Sequence, residues 1–274
     1  MKTFVVSGGT DGIGKAVALT YLRRGDQVAI IGRSAEKGAA FLADAARLGA
    51  ADRAHFLPAD LSLVSENRKA VDQIRSRFST VDALVLCARH YRSTRLVTAE
   101  GFEHTFALFY LSRFVLSYEL LDLLDAADNP VIMNVCGPGA DTGQVRWHDL
   151  NFETDYHGLA ALAHGGLLND LLGVGFAQRR PAHRARYVLF HPGTVSTSFS
   201  GQYTPDMAAQ IEAMRSTATP VAAAVVPILA LLDQPPTEPL SAFVRGEPIG
   251  LAGPSFNQAA AQRLYAETRT MLSS

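Results

Sequence analysis

A glycine-rich segment at residues 7–14 has the residue types and spacing needed to hold a diphosphate. An apolar run ends just before it and a helix-period stretch begins within it, so its amides face outward at the positive end of a helix dipole. Gly8 permits a tight turn, Gly12 lets the backbone approach the phosphates, and Gly14 lets the helix pack closely on the strand. The predicted contact residues are Ser7, Gly8, Gly9, Thr10, Asp11, Gly12, Ile13 and Gly14. An ordinary glycine-rich turn is the alternative interpretation.

The residues after the second apolar run indicate which dinucleotide would bind. A site for NAD usually carries an acidic residue here, which holds the ribose 2′-hydroxyl and would repel a phosphate. Arg33 and Ser34 follow this run instead. A guanidinium can grip a 2′-phosphate with its planar fork and stack on adenine. The sequence therefore predicts NADP(H), with NAD(H) as the less favoured cofactor; the alternative is a solvated surface arginine.

The elements that must position these residues alternate between strand-like and helix-like. Short runs that are apolar on both faces lie at 3–6, 27–31, 54–57, 83–87, 131–135 and 187–190, and helix-period stretches lie at 14–24, 35–48, 63–78 and 101–124. This alternation predicts an α/β fold, a single Rossmann-type doubly wound parallel sheet flanked by helices on both faces. Ligand then binds beyond the carboxyl ends of the strands. We expect one NAD(P)-binding domain over residues 1–274.

Residues 196–218 depart from this alternation. They follow the sixth predicted strand and read STSFSGQYTPDMAAQIEAMRSTA, a turn followed by an amphipathic piece. We interpret them as a lid-like insertion over the substrate pocket. The alternative is a surface excursion that does not touch ligand.

Charge and composition exclude several classes of partner. The 274 residues carry a formal net charge of −1 and a pI of about 6.7, so no global field draws the chain to nucleic acid or an anionic membrane. The first apolar run is too short for a signal peptide and the run at 221–232 too short to span a bilayer, so we expect a cytoplasmic protein. Cys87 and Cys136 suit reduced, buried thiols. No metal site is expected. The sequence leaves open whether the protein forms a homo-oligomer.

Four motifs, in chain order, resemble those of short-chain dehydrogenases/reductases. SGGTDGIG is similar to the family's TGxxxGIG, Asp60-Leu61 in PADLS to its acidic adenine contact, VDALVLCAR to its NNAG strand, and HPGTVST to its HPGxVxT. The resemblance implies that Cys87 and Ala88 lie along the cofactor. The residues it implies near the nicotinamide carboxamide are Pro192, Gly193, Val195 and Thr197.

The family's catalytic positions carry other residue types. Its enzymes use Tyr-x-x-x-Lys on one helix, with a serine and an asparagine nearby, and no Tyr-x-x-x-Lys occurs in this chain. Alignment with the family's landmarks places other residues at the tyrosine, lysine, serine and asparagine positions: Leu162, Gly166, Gly137 and Phe109. The catalytic residues therefore stay unknown. Substitute proton donors that remain open are His164, Tyr91, Tyr156 and Tyr203.

The resemblance and these departures together indicate an atypical NAD(P)H-dependent ketoreductase. Such a protein would orient the hydride donor while the proton comes from the substrate or from water. Small or apolar residues at the catalytic positions would widen the pocket for a bulky, flat aromatic substrate. The pattern resembles family members that reduce angucyclinone-type aromatic polyketides in antibiotic biosynthesis. The alternative is a catalytically inactive NADP(H)-sensing regulatory protein of the same fold.

Overall fold

A mostly parallel sheet of eight strands forms the centre of the computed structural model, which describes residues 1–140, 143–179 and 184–273. Its strands are β1 (Thr3–Ser7), β2 (Gln27–Gly32), β3 (Ala54–Pro58), β4 (Ala83–Leu86), β6 (Val131–Val135), β7 (Arg186–His191), β9 (Leu240–Val244) and β10 (Glu247–Pro248). A second, two-stranded sheet pairs β5 (Tyr91–Arg92) with β8 (Gly201–Gln202). The six predicted strands agree with these bounds to within one residue at each end. The predicted doubly wound parallel sheet is confirmed.

Helices cover both faces of this sheet. In chain order they are α1 (Gly12–Arg23), α2 (Ala35–Arg47), α3 (Val64–Arg77), α4 (His104–Phe106), α5 (Ser112–Glu119), α6 (Leu121–Asp125), α7 (Gly158–Ala177), α8 (Pro205–Thr217), α9 (Val221–Ala224), α10 (Val226–Asp233) and α11 (Gln258–Met271). Two apolar cores result, one between the sheet and α1, α2 and α10, the other between the sheet and α3, α5, α7 and α11. Burial on both faces explains why the strands are apolar runs without alternation.

The order of the strands reverses between β1 and β4. The full order is β10-β9-β7-β6-β4-β1-β2-β3, and β1 pairs in parallel with both β2 and β4. The backbones that follow β1 and β4 meet at this point, because a Cβ on Gly8 would lie 2.8 Å from the Cα of Ala88. A reversal of this kind leaves a crevice beyond the carboxyl ends of the strands.

The helix predicted over 101–124 is interrupted. After α4 the chain forms a π segment, Ala107–Leu111, before α5 and α6. The carbonyl of Phe109 in this segment accepts a hydrogen bond of 2.7 Å from Nδ2 of Asn169 on α7. A side chain from a neighbouring helix thus donates a hydrogen bond to a carbonyl of the widened turn. The periodicity of apolar residues does not predict such a turn.

Helix α7 is, within the part of the chain that the structure describes, the one helix long and apolar enough to cross a membrane by length and composition. Its apolar window is 72% buried inside the protein, where it packs against α11 and the π segment. This burial is that of a core helix. The apolar run at 221–232, which is too short to span a bilayer, forms two short helices, α9 and α10.

Candidate functional site

A cleft of about 780 Å³ opens at the carboxyl edge of the sheet, across the point where strand order reverses. The loops after β1, β2, β3, β4, β6 and β7 all contribute to its lining, because parallel strands end at the same edge. The predicted cofactor contacts that line it are Gly8, Thr10, Asp11, Gly12, Ile13, Gly14, Arg33, Ser34, Asp60, Leu61, Cys87, Ala88, Pro192, Gly193, Val195 and Thr197.

Two predicted contacts, Ser7 and Gly9, lie beneath the cleft instead of along it. Ser7 is buried, and its Oγ accepts a hydrogen bond of 3.5 Å from the amide of Ala88. A Cβ on Gly9 would lie 2.5 Å from the side chain of Ile30 on β2. Their role is therefore to hold the glycine-rich loop against the sheet, since a residue packed on a neighbouring strand cannot also face the ligand.

The glycine-rich loop fits a diphosphate. Gly8 and Gly12 adopt φ values of +68° and +51°, in the left-handed region that favours glycine. A Cβ on Gly14 would lie 2.5 Å from the carbonyl oxygen of Gly8, so only glycine lets α1 start this close to the loop. Asp11 caps the helix, because its Oδ1 accepts the amide of Gly12 at 2.7 Å. First-turn amides such as those of Ile13 and Gly14 have no carbonyl partner within a helix and can bind an anion.

Two cations, Arg33 and Lys37, line the cleft beside the residues that follow β2. Arg33 is exposed at the cleft after β2, and Ser34 starts α2 by accepting the amide of Lys37 at 3.2 Å. The Nζ of Lys37 lies 2.6 Å from Oδ2 of Asp11, so it bridges the end of the glycine-rich loop to α2. Lys37 was not predicted from the sequence, although a residue three positions after a helix cap is expected to lie on the same side of the helix as that cap.

The acidic residue after β3 is held ionised. Oδ1 of Asp60 accepts both the amide of Ser62, at 3.0 Å, and its hydroxyl, at 2.7 Å. Burial alone would raise the pKa of Asp60, but these bonds and the charge of Arg33 bring it below its ordinary value. Asp60 thus presents an acceptor at the same end of the cleft as Arg33.

A buried arginine fixes the backbone at the opposite end of the cleft. Arg113 on α5 is fully buried, and its guanidinium donates to the carbonyls of Val135, at 3.0 Å, and Ala88, at 3.1 Å, and to Oδ1 of Asn134. Its Cζ lies 4.4 Å from the ring centroid of Phe109. Because Ala88 follows β4 and Val135 is the last residue of β6, one side chain joins the carboxyl ends of two neighbouring strands at the cleft.

The two cysteines lie at these same strand ends. Burial raises the pKa of Cys87 to about 12 and raises that of Cys136 as well, so both are thiols at neutral pH. A thiol is a weak nucleophile and a weak metal ligand. Across ranges 1–140, 143–179 and 184–273 there is no group of three His, Cys, Asp or Glu residues that could hold a metal ion.

The predicted lid segment, 196–218, lies along the cleft. It contains β8 and α8, and three apolar side chains from one face of α8 line the cleft: Met207, Ile211 and Met214. No residue of α8 is buried. The apolar face of α8 therefore borders the cleft and does not pack into a core. At the base of the segment the rings of Tyr203 and Tyr91 stack with centroids 5.0 Å apart. Closure of the segment over ligand stays a prediction.

Comparison with known proteins identifies the family. The family model described as short chain dehydrogenase matches residues 2–148, which cover β1 to β6 and the glycine-rich loop. The chain belongs to the short-chain dehydrogenase family. The matched residues include both the glycine-rich loop and the point where strand order reverses.

Several curated short-chain dehydrogenase relatives are similar over most of this chain. Oxidoreductase AN1596 of Emericella nidulans is 30% identical over 72% of this chain and 59% of its own length. Human retinol dehydrogenase 13 is 29% identical over 74% of this chain and 61% of its own length. A Streptomyces sp. strain C5 protein named as a daunorubicin C-13 ketoreductase, DnrU, is 27% identical over 72% of this chain and 67% of its own. The chain thus spans about three fifths of the length of the first two relatives.

Solved structures share the fold. An uncharacterised protein from Mycobacterium paratuberculosis aligns with a TM-score of 0.75 at 22% identity, over 100% of this chain and 94% of that one. A short-chain dehydrogenase from Burkholderia cenocepacia in complex with NADP aligns with a TM-score of 0.68 at 21% identity, over 90% and 97%.

The positions predicted from the sequence to align with the family's catalytic residues have distinct surroundings. Leu162 lines the cleft from α7. A Cβ on Gly166, one turn further along α7, would meet nothing within 4 Å, and one on Gly137 would lie 3.4 Å from Cδ2 of His191. Phe109 is buried in the π segment. A leucine, two glycines and a buried phenylalanine offer no acidic proton.

The substitute donors named from the sequence have other partners. Nε2 of His164 accepts the amide of Arg146 at 3.2 Å, and burial lowers the pKa of His164 to about 4. The tyrosine hydroxyls donate to protein acceptors: Tyr91 to Sδ of Met207, Tyr156 to the carbonyl of Arg92 and Tyr203 to the carbonyl of Phe199. Burial raises the pKa of all three phenols. Of these four residues, Tyr91 and Tyr203 line the cleft, whereas His164 and Tyr156 are not among its lining residues. At neutral pH the phenols keep their protons, and His164 is neutral with Nε2 as an acceptor.

Proposed function

We propose that this short-chain dehydrogenase is an atypical NAD(P)H-dependent ketoreductase that reduces a carbonyl of a large aromatic polyketide. The observation that carries the proposal is the composition of one cleft, whose lining combines the diphosphate cradle with apolar side chains from the π segment, α7 and α8. The cradle supports a dinucleotide and the apolar side chains support a bulky hydrophobic substrate beside it.

NADP(H) is the cofactor that the cradle end favours. The loop amides would hold the pyrophosphate, Asp60 would accept from the adenine, and Arg33 with Lys37 would hold the 2′-phosphate. When bound, the cofactor supplies a hydride. The NADP-bound Burkholderia cenocepacia structure shares this fold, which supports the same choice.

Replacing Arg33 by aspartate is expected to reverse the cofactor preference. The variant exchanges a bidentate phosphate contact, worth about 3 kcal/mol, for a like charge, so the Kd for NADPH should rise roughly 100-fold. The Kd for NADH should change little. NADPH and NADH fluorescence titrations measure both constants, and Arg77→Asp, which alters an exposed cation on α3, controls for net charge. An unchanged ratio of the two constants would show that Arg33 does not read the phosphate.

The wall of the cleft favours a flat aromatic substrate. Leu108, Leu159 and Leu162 line the cleft, and so does the apolar face of α8. Aliphatic side chains from several elements suit a fused ring system, since both of its faces are apolar. The relative named as a daunorubicin C-13 ketoreductase supports a polyketide ketone; we propose an angucyclinone-type ketone in antibiotic biosynthesis, as in the simocyclinone pathway.

The proton in this scheme comes from the substrate or from water. Hydride adds to the carbonyl carbon, the carbonyl π electrons move to oxygen, and that oxygen takes a proton. A phenol hydrogen-bonded to the same carbonyl can give this proton and become a phenolate. Orientation within the cleft then supplies much of the rate, because well-positioned reactants gain roughly 7 to 11 kcal/mol.

NADPH oxidation with a matched pair of ketones tests this function. The pair is a polycyclic aromatic ketone carrying a phenol beside the carbonyl and its O-methyl ether. We expect turnover of the phenol and a rate roughly 100-fold lower for the ether, because proton transfer from a positioned acid contributes about that much. Equal rates would exclude the substrate's phenol as the donor. Tight NADPH binding without turnover of any polycyclic ketone would instead support the NADP(H)-sensing regulator.

A further inference from the structure

Arg89 is a cation of the cleft that has no hydrogen-bonding or ion-pair partner among the described residues. It follows β4 directly after Cys87 and Ala88, lines the cleft and is exposed. Its backbone is fixed, because the neighbouring Ala88 packs on Gly8 and its carbonyl accepts from Arg113 at 3.1 Å. The guanidinium therefore projects into the cleft from a rigid strand end.

The acidic residues that line the cleft do not neutralise Arg89. They are Asp11, which pairs with Lys37 at 2.6 Å, and Asp60, which accepts from Ser62. Both lie at the end of the cleft that Arg33 borders. Among the described residues Arg89 makes neither an ion pair nor a hydrogen bond.

The electrostatic neighbours of Arg89 place it at the reaction end of the cleft. Burial and then the charges of Arg89 and Arg245 lower the pKa of His191, the residue before the predicted nicotinamide contacts. The charge of Arg89 also acts on Tyr203 at the base of the predicted lid. A cation here becomes desolvated once cofactor and an apolar ligand fill the cleft, and a desolvated charge needs an opposite charge beside it.

We infer that Arg89 binds the anionic oxygen of the substrate, the phenolate that remains when the substrate's phenol has protonated the reduced carbonyl. This inference rests on the proposed ketoreductase function. The hydride forms the new C–H bond, the carbonyl oxygen takes the phenol's proton, and the phenolate oxygen keeps the electron pair of the broken O–H bond. Arg89 pairs with that oxygen until water reprotonates it.

An arginine suits this role better than a lysine. Its planar fork can reach two neighbouring oxygens at once, and a phenolate beside a newly formed alcohol offers two. The negative charge develops during the reaction, so the attraction is greatest in the transition state. Loss of the guanidinium should therefore lower kcat roughly 100-fold, with a smaller change in KM.

The binding test uses 1-hydroxyanthraquinone, an aromatic ketone whose phenol lies beside the carbonyl, in the complex of full-length protein with NADP⁺. No hydride is available there, so absorbance of the phenolate reports the pKa of the bound phenol directly. We expect wild-type protein to lower that pKa by at least about one unit, corresponding to a tenfold preference for the anion. Arg89→Gln should abolish the shift, and Arg89→Lys should retain part of it.

Arg33→Gln is the matched control, because it removes a cation from the other end of the same cleft. It should weaken NADP⁺ binding yet leave the phenol pKa as in wild type once NADP⁺ is saturating, whereas Arg89→Gln should do the reverse. A tenfold loss of NADP⁺ affinity in Arg89→Gln would overturn the inference and assign Arg89 to the pyrophosphate. Equal phenol pKa values in wild type and Arg89→Gln, or no binding of the dye by the wild-type complex, would overturn it as well.

The two proposals fail in different ways. If wild-type protein lowers the phenol pKa through Arg89 but never oxidises NADPH with a hydroxylated ketone, the ketoreductase function is wrong and the anion site stands as a binding site. If NADPH is oxidised at the wild-type rate by Arg89→Gln, the function stands and the role of Arg89 is wrong.

Discussion

Replacement of Gly12 by valine is expected to abolish cofactor binding, with the Kd for NADPH rising roughly 1,000-fold or more. Gly12 has φ +51°, and a Cβ there would lie 2.8 Å from Cγ2 of Thr197. A β-branched residue is a strained outlier at such a φ, and its side chain would fill the space through which the phosphates approach the loop amides. Losing two charge-assisted hydrogen bonds to the pyrophosphate costs about 4 kcal/mol, which corresponds to this factor.

A substitution at a second glycine, Gly49, distinguishes the effect of backbone strain from the effect of losing the phosphate-binding loop. Gly49 has φ +66°, and a Cβ there would meet nothing within 4 Å. Gly49→Val should therefore lower the free energy of unfolding by about 1–2 kcal/mol while NADPH fluorescence titration gives the wild-type Kd. If Gly12→Val bound NADPH with a Kd within threefold of wild type, the glycine-rich loop would not be the phosphate site.

The strands were predictable because parallel strands buried on both faces are short, continuous apolar runs. Strand β9 was not predicted, since LSAFV is only partly buried along its length and lacks such a run. Helix α11 also escaped prediction: its buried residues, Ala261, Leu264 and Thr268, form a narrow stripe that includes a polar residue. The π segment depends on Asn169 from another helix, and no local pattern records a contact at that sequence distance.

The candidate site was predictable where backbone geometry determines residue type. Gly8 and Gly12 need left-handed φ values, and that need is visible as glycine spacing. The side chains that converge on the cleft from separate loops were harder to predict. Lys37 reaches the loop through its pair with Asp11. The sequence signals Arg89 only as a charged residue shortly after a buried strand. The sequence identifies the predicted lid segment as a departure from the alternation of strands and helices. It does not show which face of α8 lines the cleft.

Replacement of Asp170 by asparagine is expected to stabilise the protein at alkaline pH. Asp170 on α7 is 1% exposed, its Oδ2 accepts the amide of Gly139 at 2.8 Å, and burial raises its pKa to about 7 from an ordinary value of 3.8. Because the folded pKa is the higher one, the stability that Asp170 contributes is complete below pH 4 and is lost as the pH rises through 7. Each pKa unit is worth about 1.4 kcal/mol, so ionisation costs the fold roughly 4 kcal/mol at pH 8.

Asparagine keeps the acceptor for Gly139 but cannot ionise, so the free energy of unfolding of Asp170→Asn, relative to wild type, should increase by about 4 kcal/mol between pH 4 and pH 8. Urea denaturation across this range measures it. Asp149→Asn should show the opposite trend. Burial raises the pKa of Asp149, but bonds from Glu153, Thr154 and Arg146 hold it below its ordinary value, so its carboxylate stabilises the fold at neutral pH and loses that effect as pH falls. A difference between Asp170→Asn and wild type that stays constant over this range would mean that burial does not perturb Asp170.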